Sequence, residues 1–189
     1  MQSPPRQQVK GGVLKSRLQF VEDAAGKEAV QRVLAALSDD DRKSLGMLLT
    51  AQWYPFEVGM RLDAAIVKEL GNGREEYFER LGEASADKNL TTVHRNFLTQ
   101  GDAHGFLAKA PNIYKLYYGN GRREYERTGE RSGRLTTYDA ETFSAPDCLT
   151  IVGWYRRALQ LCGVSDVRVV ETECRARGGS VCRYEVSWA

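Results

Sequence analysis

Apolar residues recur at three- and four-residue intervals through the first two-thirds of the chain, and at two-residue intervals through much of the last third. Val13, Leu14, Leu18 and Val21 predict a helix over residues 12–25, closed by Gly26. Ala29, Val30, Val33, Leu34 and Leu37 predict a second over 28–37. Ser38 ahead of Asp39-Asp40-Asp41 is an N-cap with acidic first-turn residues, opening a short helix to about residue 49. Pro55 suits the first turn of a helix that runs to Leu70. Its buried side is Phe56, Met60, Leu62, Ile66, Val67 and Leu70, and Gly71-Asn72-Gly73 ends it. Helices follow over 75–86 and 88–98, with a break near Asp87, and over 101–118, where Pro111 bends or divides the run.

Gly119-Asn120-Gly121 switches the chain into strands. Residues 124–128 and 134–138 alternate across a hairpin-length loop. Residues 148–163 return to helical spacing. Val167 and Val169, then Tyr184, Val186 and Trp188, alternate on either side of Gly178-Gly179 and predict a closing hairpin. The fold class is α+β: N-terminal helices packed on a four-stranded antiparallel sheet, made of two hairpins joined by one long helix. Residues 1–9 are polar and Pro-rich and read as a disordered tail before a single domain over 10–189.

Three of the four cysteines lie in the last third at chemically suggestive places. Cys148 starts the long helix, and Cys174 and Cys182 stand on the two arms of the last hairpin near its tip. Glu171 and Glu173 precede Cys174. Thiolates at a helix start and on neighbouring strands, with a carboxylate three residues before one of them, form a plausible tetrahedral site for a metal such as zinc. Two other readings stay open on the residues alone: buried cysteines acting as small apolar side chains, or a Cys174–Cys182 disulfide.

The segment from Cys148 to Trp188 resembles the C-terminal part of the vinyl-4-reductase domain, the ligand-binding module of the haem-nitric-oxide-binding and Golgi-transport superfamily. In the sensor domains of aromatic-responsive bacterial transcription activators, that module carries a Cys, a Glu-x-x-Cys and a further Cys. The resemblance implies a structural zinc held by Cys148, Glu171, Cys174 and Cys182, with Glu173 a steric alternative to Glu171. From Lys10 onward the chain is also similar to a myxobacterial paralogous family of unknown function. KGGVLKS, QWYPFEVGMRL, GEASADKNLTTVHRNFL, GWYRRALQLCGV and the closing hairpin carry that likeness. It implies a fold much more than an activity.

Composition narrows the classes. The chain has 189 residues, 42% of them hydrophobic and 28% charged, which suits one soluble globular domain. A formal net charge of +2 is too small to argue for a nucleic-acid or anionic-membrane partner, and neither is expected. No apolar run is long enough to span a membrane, and the polar N-terminus is no secretory signal, so the cytoplasm is expected. Arg122, Arg123, Arg127, Arg131 and Arg134 alternate with Glu124, Glu126 and Glu130, which reads as a solvated face. Only two histidines occur, His94 and His104, and neither lies in a catalytic motif, so no enzyme is expected. Haem gas sensors of the superfamily use a proximal histidine and Tyr-x-Ser-x-Arg; Tyr118-Gly-Asn120-Gly-Arg122 departs from it at the serine, and haem is not expected.

Trp53, Phe97, Phe106, Tyr114, Tyr117 and Tyr118 are candidate walls of a small-molecule pocket, although the same stripe would serve a helical core. The resemblance implies a pocket between helices and sheet. The expected function is a non-enzymatic sensing module for a small apolar or aromatic molecule. In it, zinc clips the last hairpin to the Cys148 helix, and a homodimer or another protein partner reports occupancy. The alternative is a ligand-free adaptor.

Overall fold

The computed structural model describes residues 7–140 and 145–189. The chain opens with β1 (Gln8–Lys10), which pairs antiparallel with β2 (Trp53–Pro55). Between them lie α1 (Gly11–Ala35) and α2 (Asp39–Gly46). Residues 1–6 of the expected tail lie outside the described residues, and the boundary expected at residue 9 falls inside a strand whose Val9 is buried. Gly26, with φ 80° and ψ 175°, interrupts α1 between the two expected helices, a break that glycine permits. Ser38 caps α2 as expected, its hydroxyl accepting from the Asp41 amide at 3.2 Å.

Next come α3 (Phe56–Gly71), α4 (Glu76–Leu90), α5 (Ala103–Leu107) and α6 (Ala110–Tyr117). Asn72 ends α3 in the left-handed conformation. The expected break near Asp87 falls later: α4 runs through Asp87, whose carboxylate accepts from Arg157 Nε at 2.8 Å, and ends at Leu90, with only a 3-10 turn (Arg95–Phe97) in place of the expected second helix. Pro111 divides the next run, sitting in the first turn of α6 where its missing amide costs nothing.

The four-stranded antiparallel sheet is the expected one. Its strands are β3 (Arg122–Gly129), β4 (Ser132–Tyr138), β5 (Arg168–Glu173) and β6 (Cys182–Ser187), in the order β3-β4-β6-β5. The helix α7 (Leu149–Leu161) joins the two hairpins. One core lies between the sheet and α4–α7, and a second between α1, α2, α3 and the start of α4.

The helices α4 and α7 cross with their backbones nearly touching. A Cβ at Gly82 would stand 2.0 Å from the Thr150 carbonyl oxygen, and one at Gly153 would stand 1.9 Å from that of Glu79. Arg156 ties the crossing to Glu79 at 2.6 Å and Glu83 at 2.7 Å. Small residues at two reciprocal positions therefore fix how close α7 lies to the helical layer.

Candidate functional site

Two polar sites face the interior from the same side of the sheet. The first is the cysteine cluster. Cys148 lies in a single 3-10 turn that leads into α7, and Cys182 opens β6. Cys174 follows β5 and caps the short turn Arg175–Arg177. A ligand atom from each of Cys148, Glu171, Cys174 and Cys182 lies within 4.8 Å of the others. The Cys148 and Cys174 sulfurs are 3.8 Å apart, and all four cysteines of the chain are free thiols. That separation excludes a bond between those two sulfurs and matches thiolates about 2.3 Å from a shared tetrahedral ion.

A bulge in β5 decides which glutamate joins them. Glu171 pairs with Tyr184 and Glu173 with Arg183, so the ladder slips at Thr172 and the two carboxylates part company. Glu171 turns inward with its side chain 4% exposed, among the thiols of Cys148 and Cys174, and Arg177 Nη1 stands 3.5 Å away. Glu173 instead accepts from the Ser180 and Val181 amides and pairs with Arg183 at 2.7 Å. Burial pushes the Glu171 carboxyl above its ordinary range. A hydrogen bond with Cys182 and then burial push the Cys148 thiol up. A desolvated carboxyl among thiols is poised to lose protons to a cation and poorly placed to hold charge alone.

The second site is a cavity of about 30 Å³ where the two cores meet. The helical layer contributes Val13, Arg17, Ser85 and Asn89. From α6 and its end come Ile113, Tyr114, Tyr117 and Tyr118; from α7 come Thr150, Ile151, Trp154 and Tyr155; Arg123 projects from β3. Arg17 donates to Asp63 at 2.9 Å and to the Leu81 carbonyl at 2.8 Å. Arg123 donates to the Thr137 hydroxyl at 2.9 Å and the Tyr155 hydroxyl at 3.3 Å. The Tyr117 hydroxyl is buried without a partner, and burial pushes that phenol well above its ordinary range.

The two sites share a frame. Arg123, Thr137 and Cys182 form one cross-strand row, and row neighbours point to the same face. Two strand spacings separate Arg123 from Cys182, roughly 10 Å. The helix α7 begins beside Cys148 and lines the cavity over its next two turns.

Of the expected pocket residues, the structure brings Tyr114, Tyr117 and Tyr118 to the cavity and sends the others elsewhere. Trp53 lies on β2 under the Lys10 ammonium. Phe97 packs against the sheet-side core beside His94. Phe106 is fully buried, stacked on Trp154 at 6.1 Å. Arg17, Arg123, Thr150, Trp154 and Tyr155 were missed. The expected solvated face is corrected at Arg123, which is only 6% exposed. Strand alternation was the available signal: Arg123 and Tyr125 share a face opposite Arg122 and Glu124.

The chain belongs to the family described as "Protein of unknown function (DUF2378)", whose model matches residues 5–189. A comparison with curated proteins finds no match. Solved structures share the fold. An Fe(II) unliganded H-NOX protein from K. algicida is 13% identical, with 95% of this chain and 96% of that chain covered and a TM-score of 0.71. An H-NOX protein from S. oneidensis in the Fe(II)NO ligation state is 14% identical, covering 95% and 99%, TM-score 0.71. An oxygen-binding H-NOX domain related to soluble guanylate cyclases is 13% identical, covering 95% and 94%, TM-score 0.69. The chain thus shares the fold of H-NOX structures, and the expected vinyl-4-reductase resemblance is not supported.

These neighbours overturn one expectation. The structural zinc is withdrawn as the cofactor, because the structures that share the fold carry iron and its gaseous ligands in their names. Haem itself does not fit the residues present. The cavity of about 30 Å³ is an order of magnitude below the roughly 300 Å³ or more of a cofactor pocket. Both His104 nitrogens are engaged, by the Tyr125 hydroxyl and by the Glu130 carbonyl at 2.7 Å. His94 packs on Phe97 and Tyr117 and does not line the cavity. Arg122 is exposed and pairs with Glu124 and Asp139.

Proposed function

We propose that this DUF2378 member is a non-enzymatic small-molecule sensing domain whose ligand enters the cavity between the helical layer and α7. One observation carries the reading. The cavity lies where the two cores meet, with aromatic walls and a few polar tips, which is how small-molecule sites are built. Its present volume holds a water or two, so occupancy moves a wall. A shift of the side chains that α7 lends to the cavity reaches the last hairpin through Cys148 at the start of that helix. Output passes by protein–protein contact, as a homodimer or to another protein. No described helix is long and apolar enough to cross a membrane.

In the same reading, Cys148, Glu171, Cys174 and Cys182 form a cation site that pins the hairpin to α7. Elemental analysis of the purified chain over all transition metals tests this. One metal equivalent, lost in Cys174→Ser and kept in Cys162→Ser, is expected; a metal-free chain contradicts it.

The cavity's small size favours a second reading, a ligand-free adaptor with a filled core. Thermal unfolding with a panel of neutral aromatic and apolar molecules separates the two. A sensor gives a saturable rise in Tm that Ile151→Trp, which fills the cavity, abolishes. An adaptor gives no rise with any compound.

A further inference from the structure

Arg123 is one of two arginines buried in the described residues, and it differs from the other in what neutralises it. Its Nε and Nη1 donate to the neutral hydroxyls of Thr137 and Tyr155. Its guanidinium carbon stands 5.0 Å from the Tyr114 ring centroid, 5.4 Å from that of Tyr155 and 6.0 Å from that of Tyr184. No carboxylate of the described residues pairs with it. Aromatic faces offset part of the cost of burying a cation, which leaves the group short of a full counter-charge. The same cavity holds a buried hydroxyl with no hydrogen-bond partner, that of Tyr117, whose pKa burial raises.

We infer that the cavity is an anion site for a small monocarboxylate with a short apolar body. The carboxylate stands against the Arg123 guanidinium and the Tyr117 hydroxyl, and the body against the rings of Tyr114, Trp154 and Tyr155. A planar guanidinium matches a carboxylate through two parallel hydrogen bonds, and a head group of three heavy atoms replaces the water that the cavity admits. Chloride would satisfy the charge but leave the apolar walls unused. This inference rests on the cavity being the ligand site, and it adds the ligand's charge.

The test is thermal unfolding and calorimetric titration with formate, acetate, propionate and benzoate, against sodium chloride at equal ionic strength and pH 7. The wild-type chain should show a saturable Tm rise with at least one carboxylate, roughly 5–10 °C at 100 times its Kd. Arg123→Met should fold with an unliganded Tm at or above wild type and lose the carboxylate response. Tyr117→Phe removes one donor and should weaken binding about tenfold; it serves as the test should Arg123→Met fail to fold. The inference is overturned by a wild-type chain that responds to none of the carboxylates, by a response kept in Arg123→Met, or by an unchanged Kd in Tyr117→Phe. Neutral phenol or indole raising the Tm while carboxylates do not would overturn the anion site and leave the cavity reading standing. No response to either class removes both.

Discussion

The helical wall and the sheet wall of the central cavity each present a buried guanidinium, at 5% exposure for Arg17 and 6% for Arg123. The helical wall closes its charge internally: Arg17 has Asp63 and a backbone carbonyl. The sheet wall does not, for Arg123 has two neutral hydroxyls and three rings. A buried ion pair holds structure; a buried ion facing a cavity without its partner marks where a partner comes from outside. The contrast gives one wall a closed ion pair and leaves the other with the charge on which the inferred anion site rests.

Asp63→Ala should break the contrast most severely, since it turns Arg17 into a second uncompensated cation. The expected loss is about 3–5 kcal/mol, read by denaturant unfolding. A loss under about 1 kcal/mol would mean that Arg17 is not held by its partner. Gly153→Ala acts on the spacing between the walls by pushing a methyl into the Glu79 carbonyl. It should cost about 1–3 kcal/mol and change the cavity response even where the chain stays folded. Arg123→Met should be close to neutral or stabilising in unliganded chain, within about 1 kcal/mol, because an apolar side chain of similar length removes an unpaired charge.

How much of this contrast the sequence carried depends on the residue. The helix beginning at Cys148 and the hairpin bearing Cys174 and Cys182 were legible, because helical and strand periodicities and the Gly178-Gly179 turn are local signals. The choice of Glu171 over Glu173 was not legible from periodicity, since two residues two apart share a face until a bulge separates them. Arg123 was lost among five arginines in a charge-rich hairpin, where composition says solvent and only the strand's alternation says interior. Asp63 was unreadable for a related reason: its partner lies 46 residues away on α1. Trp53, Phe97 and Phe106 show the converse error. Apolar periodicity marks what is buried without saying whether it lines a space or fills one.

The smallest expected effect belongs to a pair remote from the cavity, where a partner is present and half exposed. The hydrogen bond from Arg61 holds the Asp41 carboxyl below its ordinary range. A depressed carboxyl contributes stability above its unfolded value and loses it as pH falls through the folded one. Asp41→Asn should therefore flatten the acid side of the stability profile, by less than about 1 kcal/mol. A profile identical to wild type below the usual carboxylate range would remove this pair from the account.

The central claim is tested most directly by nuclear magnetic resonance of the arginine Nε–H groups during titration with benzoate or propionate. Arg17 and Arg123, assigned by single substitutions, serve as internal controls for each other. The Arg123 resonance should move saturably while the Arg17 resonance stays in place. An Arg123 resonance that does not move while the chain binds the carboxylate elsewhere, or one that moves no more than those of exposed arginines, would contradict that claim.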